Sequence, residues 1–192
     1  MIAGDAVSNT TLIKDITQVW DFGKAAGTTG KRPWNFVSYA YQQPYKVATN
    51  GSSYTISAST QAGSVVFADA NPWMKNDGTF NAEDTTNGPK VLLEADLGLS
   101  GTTATNTTKK DEIKKGNSKN HQSEGQNVLF GDSHVSFENQ PNVGIEQDNI
   151  YTTWSTLTPT TLIQKQGGVK PVNTTTATSS VSQSDTDSFL AN

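Results

Sequence analysis

The sequence predicts a mainly β protein: a small antiparallel sheet with long loops and at most one or two short helices. Three observations carry that prediction. Short apolar or alternating runs recur at 34–42, 64–69 and 126–138, each bounded by Gly, Pro, Asn or Asp. Gly131-Asp132-Ser133 sits between two such runs, with the chemistry of a tight reversal. The 192 residues are 33% hydrophobic and only 17% charged, and Thr, Ser, Asn and Gln supply more than a third of them. That is enough apolar material for one modest core with much polar loop around it.

Taken in order, Leu12, Ile13, Ile16, Val19 and Trp20 fall at helical spacing before Gly23, and a strand reading fits nearly as well. WNFVSYAYQQPY (34–45) alternates Phe36, Ser38 and Ala40 with Val37, Tyr39 and Tyr41, as a strand does, and Pro44 ends it. SYTISAS (53–59) alternates in the same way with polar residues, which predicts a strand at 54–58. SVVFAD (64–69) is a compact apolar run, read as a central strand stopped by Asn71-Pro72. Residues 74–90 carry Asn-Asp-Gly and Asn-Gly-Pro and form a loop, whereas KVLLEADLGL (90–99) is ambiguous. Residues 100–120 hold almost nothing to bury and read as an exposed excursion. Gln126–Phe130 and His134–Glu138 then make the hairpin, and 143–154 continues as an extended segment. Beyond Thr158 hydrophobicity collapses, which divides the chain into a head domain at 1–157 and a Thr/Ser-rich tail at 158–192, ordered only if something else holds it.

Composition excludes several classes of function. No window approaches the ~18 apolar residues of a membrane span. A net charge of -4 and a pI near 5.1 disfavour nucleic acid as a partner, whose binders carry a basic face. The absence of cysteine rules out thiolate metal sites, disulfides and a cysteine nucleophile. There is no Gly-x-Ser-x-Gly elbow and no phosphate loop. Asp132, Ser133 and His134 are consecutive, but strand neighbours point to opposite faces, which counts against a triad. No catalytic residue is assigned, and the chain is expected not to be an enzyme. A hydrolase would need a cleft holding His121 or His134 beside a nucleophile.

Oxygen donors offer one metal candidate. Asp69, Asn71, Asn76 and Asp77 stand close together in sequence, with Asp132 and Asp148 as further carboxylates. Hard donors of this kind suit calcium, although Trp73 breaks the EF-hand pattern and Asn and Asp also form turns without any ion. The expectation is no cofactor, with Ca2+ at Asp69, Asn71, Asp77 and Asp132 as the one ion such a set would take.

NHQSEGQNVLFGDSHVSFENQPNVGIEQDNIYT (120–152) resembles the C-terminal motif of planctomycete-type prepilin-like proteins, a His, nine residues, then Asp-Gly. The positions that match include His121, Gly125, Gln126, Asn127, Asp132, His134, Asp148 and Asn149. Two departures stand out. Ten residues rather than nine separate His121 from Asp132, and Ser133 replaces the glycine. WNFVSYAYQQPY and SVVFADANPW are similar to the same family more weakly. The resemblance implies a pilin-like α+β head without its N-terminal apolar helix, exported to the cell surface or the extracellular space, with the periplasm as the alternative. It implies a structural subunit that associates with itself or with other pilin-like subunits. Major pseudopilins of type II secretion bind calcium in a C-terminal loop, which adds to the calcium expectation. A competing class is an extracellular carbohydrate- or ligand-binding module, which requires at least two coplanar exposed aromatics.

Overall fold

A computed structural model describes residues 38–42, 60–75, 79–99, 109–172 and 181–192. Its centre is a five-stranded antiparallel sheet built from β1 (Tyr39–Gln42), β2 (Val65–Asp69), β3 (Gln126–Phe130), β4 (Val135–Glu138) and β5 (Leu190–Ala191), in the order β4-β3-β2-β1-β5. The mainly β class is therefore correct, with only single-turn helices beside the sheet: α1 (Glu94–Leu97), α2 (Lys110–Lys114) and α3 (Ile163–Gln166). Among the described residues no helix is long and apolar enough to cross a membrane. The N-terminal apolar periodicity, the strand at 54–58 and the start of the 34–42 run lie outside the described residues.

Period-two alternation decides which side chains enter the core. In β3, Gln126, Val128 and Phe130 point inward while Asn127 is exposed and Leu129 half-buried. In β2 the register shifts between Val65 and Phe67, so Val65 and Ala68 are both buried although they are not two residues apart. Beneath one face of the sheet, Trp73, Ile150, Tyr151 and Leu190 complete a core with Ala40, Val65, Ala68, Val128 and Phe130.

The hairpin forms where its turn residues predict. Phe130 and His134 close it through Phe130 N–H to the His134 carbonyl at 3.0 Å, and Ser133 takes a positive φ of 71°. Two other expectations change. The 143–154 segment is not a strand; it makes a short 3₁₀ turn at Ile145–Gln147 and then runs irregularly, buried throughout 148–154. Residues 109–120 are not wholly exposed, because Ile113, Asn117 and Ser118 are buried. The last residues of the stretch read as a tail find what holds them. Phe189, Leu190 and Ala191 are fully buried, and β5 pairs with β1 through Tyr41–Ala191 and Gln42–Leu190. Few apolar residues sufficed, since Asp187 and Ser188 bring buried hydrogen bonds with them.

Candidate functional site

The chemistry-bearing residues of the chain collect at the two ends of β3. At its start, Asp69 leaves the end of β2 beside Asn127. The Asp69 carboxylate accepts the Asn127 amide N–H at 2.7 Å, the Asn120 side chain at 3.2 Å and the Asn127 side chain at 3.3 Å, and it stands 3.2 Å from His121 Nε2. The imidazole is reached through an unusual backbone: His121, Gln122 and Ser123 have φ of 52°, 59° and 63°. Left-handed conformation in three successive L-residues costs about 1–2 kcal/mol each. The local structure offsets this with the Asn117 side chain, which donates to the Ser123 carbonyl at 3.0 Å. The His121 ring also stands edge-on to Phe137 at 5.6 Å.

At the other end, His134 Nδ1 bonds Asp132 while its ring stacks on Phe130 at 4.3 Å. Hydrogen bonds from His134 hold the exposed Asp132 carboxyl below the usual carboxylate range. Neither histidine hydrogen-bonds a Ser, Thr or Tyr hydroxyl among the described residues.

The calcium set does not converge. Asp69 and Asp132 lie at opposite ends of β3, some 15 Å apart at roughly 3.3 Å per residue. Asn71 is buried with its amide spent on Trp73 N–H, the Tyr151 carbonyl and the Leu190 carbonyl. Asp77 lies outside the described residues. Among those described, no three His, Asp or Glu side chains gather as a metal site.

The other residues of the motif act as internal fasteners. Gln126 is fully buried; its side chain accepts from Ser118 N–H at 3.2 Å and donates to the Gln140 carbonyl at 2.7 Å. Asn149 accepts from Tyr151 N–H and, with Asn142, donates to the Gln166 carbonyl. Gly125 has to be glycine because a Cβ there would run into the Glu138 carbonyl and the Phe137 ring. Asp148 is sealed inside, with Trp154 Nε1–H on one oxygen at 2.8 Å and Ser188 N–H on the other at 2.6 Å. Sequence reasoning missed its partner Asp187, whose only sequence signal was an acidic residue beside the apolar Phe189-Leu190-Ala191.

Two surfaces remain. A cavity of about 330 Å³ opens beside the Asp69 cluster, lined by Asn71, Met74, Lys75, Asn81, Lys119 and Asn120 among others. The larger feature is the outer face of the sheet. Tyr41 pairs with Phe67, Phe67 with Leu129, and Leu129 with Val135, one apolar row across four strands. Tyr41 is 39% exposed, Phe67 40%, Val135 65% and neighbouring Phe137 52%. The rings on this face are inclined rather than coplanar, at 63° for Tyr39–Phe67 and 42° for Tyr41–Phe67.

No family model, curated protein or solved structure matches this chain.

Proposed function

We propose that this chain is the head of an exported pilin-like subunit that packs against copies of itself or against other such subunits at the cell surface. The observation that carries the reading is the open apolar row Tyr41–Phe67–Leu129–Val135, continued by Phe137. A contiguous apolar strip on a small sheet is costly to leave in water and marks an association surface. The prepilin-like motif supports the same reading, because its residues build the β3–β4 hairpin that carries one end of the strip. The buried amide fasteners suit a rigid building block, since they tie irregular loops without using disulfides.

A sugar-binding module draws less support. Among the described residues Trp73, Tyr151 and Trp154 are buried, and the ring pairs Tyr39–Phe67 and Tyr41–Phe67 lack the coplanar arrangement on which a sugar stacks. Immunogold labelling of producing cells tests the proposal. Label on the envelope or on surface filaments is the expected result, and label confined to the cytoplasm rejects it.

A further inference from the structure

Among the described strands β4 is an edge of the sheet, and its backbone is set for a partner. Phe130 N–H bonds the His134 carbonyl, and the register pairs Val128 with Ser136 and Gln126 with Glu138. Hydrogen-bonded pairs alternate in an antiparallel ladder, so Ser136 and Glu138 spend their backbone groups on β3. Val135 and Phe137 then turn their N–H and C=O groups outward. The strand VSFE is short, but it has no Lys, no Pro and no bulge to block a partner strand.

We propose that β4 pairs antiparallel with β4 of a second copy of this chain, about a two-fold axis through Ser136. The proposal rests on the self-associating reading above and specifies its interface. Only registers that align like faces are allowed. With the axis at Ser136, Val135 of each copy meets Phe137 of the other, and the two outward-facing backbones exchange four hydrogen bonds. The apolar row then runs unbroken from one sheet into the next. On the opposite face the same register sets His134 of each copy against Glu138 of the other. Those groups are complementary: His134 Nδ1 is occupied by Asp132, leaving Nε2 outward, and Glu138 makes no ion pair among the described residues. One register thus satisfies the backbone, the apolar face and the charged face together. A two-fold interface of this kind closes as a dimer.

The chain has no cysteine, so a single introduced thiol reports the interface. At Ser136 the two copies form a non-hydrogen-bonded pair with Cα atoms about 4.5 Å apart, within reach of a disulfide. Full-length Ser136→Cys under mild oxidation is expected to give about tenfold more covalent dimer than Ser155→Cys, an exposed position away from β4. Val135→Pro removes an outward N–H without touching the ladder to β3, and is expected to weaken association of the full chain about tenfold in sedimentation velocity. Equal cross-linking of the two cysteine variants overturns the proposal, as does undiminished association of Val135→Pro. In either case, wild-type chain that still sediments as an oligomer leaves the self-associating reading standing on another surface. Wild-type chain that stays monomeric at every concentration removes both.

Discussion

Asp148 and Asp187 are buried together, and among the described residues no basic side chain pairs with either. Asp187 accepts Gln183 N–H at 2.6 Å and Trp154 N–H at 3.2 Å, while Asp148 takes the Trp154 indole and Ser188 N–H. The second Asp187 oxygen has no partner among the described residues. Trp154 is thus held through its backbone by one acid and through its ring by the other, and the pair fastens the 181–192 segment to the core.

This pair sets the alkaline limb of stability. Burial pushes Asp187 up to about 7, and burial together with the Asp187 charge pushes Asp148 well above the carboxylate range. An acid whose pKa is raised by folding binds its proton more tightly in the native state. Its contribution is full below the ordinary value of 3.8 and falls away as pH rises towards 7. The melting temperature is therefore expected to drop between pH 5 and pH 8. Asp187→Asn keeps an acceptor for both N–H donors and removes the charge, so it should flatten that slope and raise Tm at pH 8. A slope unchanged in the variant would assign the effect elsewhere.

The acid limb has a different source. Lys90 is buried and bridges Asp96 at 2.8 Å and Glu112 at 2.6 Å, tying α1 to α2. Hydrogen bonds from Lys115 and then Lys90 hold Glu112 down at about 2. Its contribution is present above the ordinary value of 4.5 and is lost as pH falls towards 2. The two limbs together place maximal stability in mildly acidic solution. Glu112→Gln should lower Tm at pH 7 and leave it unchanged at pH 2.

Two large apolar side chains test the core, one from the hairpin and one from the final strand. Phe130→Ala is expected to cost about 3–5 kcal/mol and Leu190→Ala about 2–5 kcal/mol, read from urea unfolding. A loss below about 1 kcal/mol for Leu190 would mean that the 181–192 segment does not fold with the head.

Ser133 occupies a left-handed position, φ 71°, the backbone conformation that favours glycine. Ser133→Gly relieves the Cβ strain, partly offset by the freer unfolded chain, for a net gain of up to about 1 kcal/mol. The urea midpoint should rise with an unchanged slope.

Asp69 accepts N–H donors from Asn120 and Asn127, and these account for its place at the end of β2. A chelator should leave Tm unchanged, whereas Asp69→Ala, which strands the Asn127 amide, should cost about 1–3 kcal/mol. A fall in Tm on chelation would instead assign a structural cation to the chain.

The hairpin was readable from the sequence because its causes are local: alternation in Gln126–Phe130 and turn residues between the strands. The Asp69–His121–Asn127 cluster was not. Asp69 and Asn127 meet only because β2 pairs with β3, and His121 reaches them through a left-handed run that no propensity favours. The edge strand Leu190–Ala191 was not readable for a related reason, a pair of residues being too short to carry a periodic signal.

By itself, the sequence determined the mainly β class, the central apolar strand, the hairpin and its turn, since each depends on residues within a few positions of one another. Tertiary structure decided what happens to the polar remainder. Asn71, Asn117, Asn149 and Asp187 look like loop and tail residues, and Gln126 like an ordinary strand residue, until their partners are in place. Buried, each is held by hydrogen bonds to distant segments, and an unpaired polar group would be too costly there. Among the described residues the same packing leaves one apolar face and one strand edge without a partner, and those are the surfaces on which its proposed role depends.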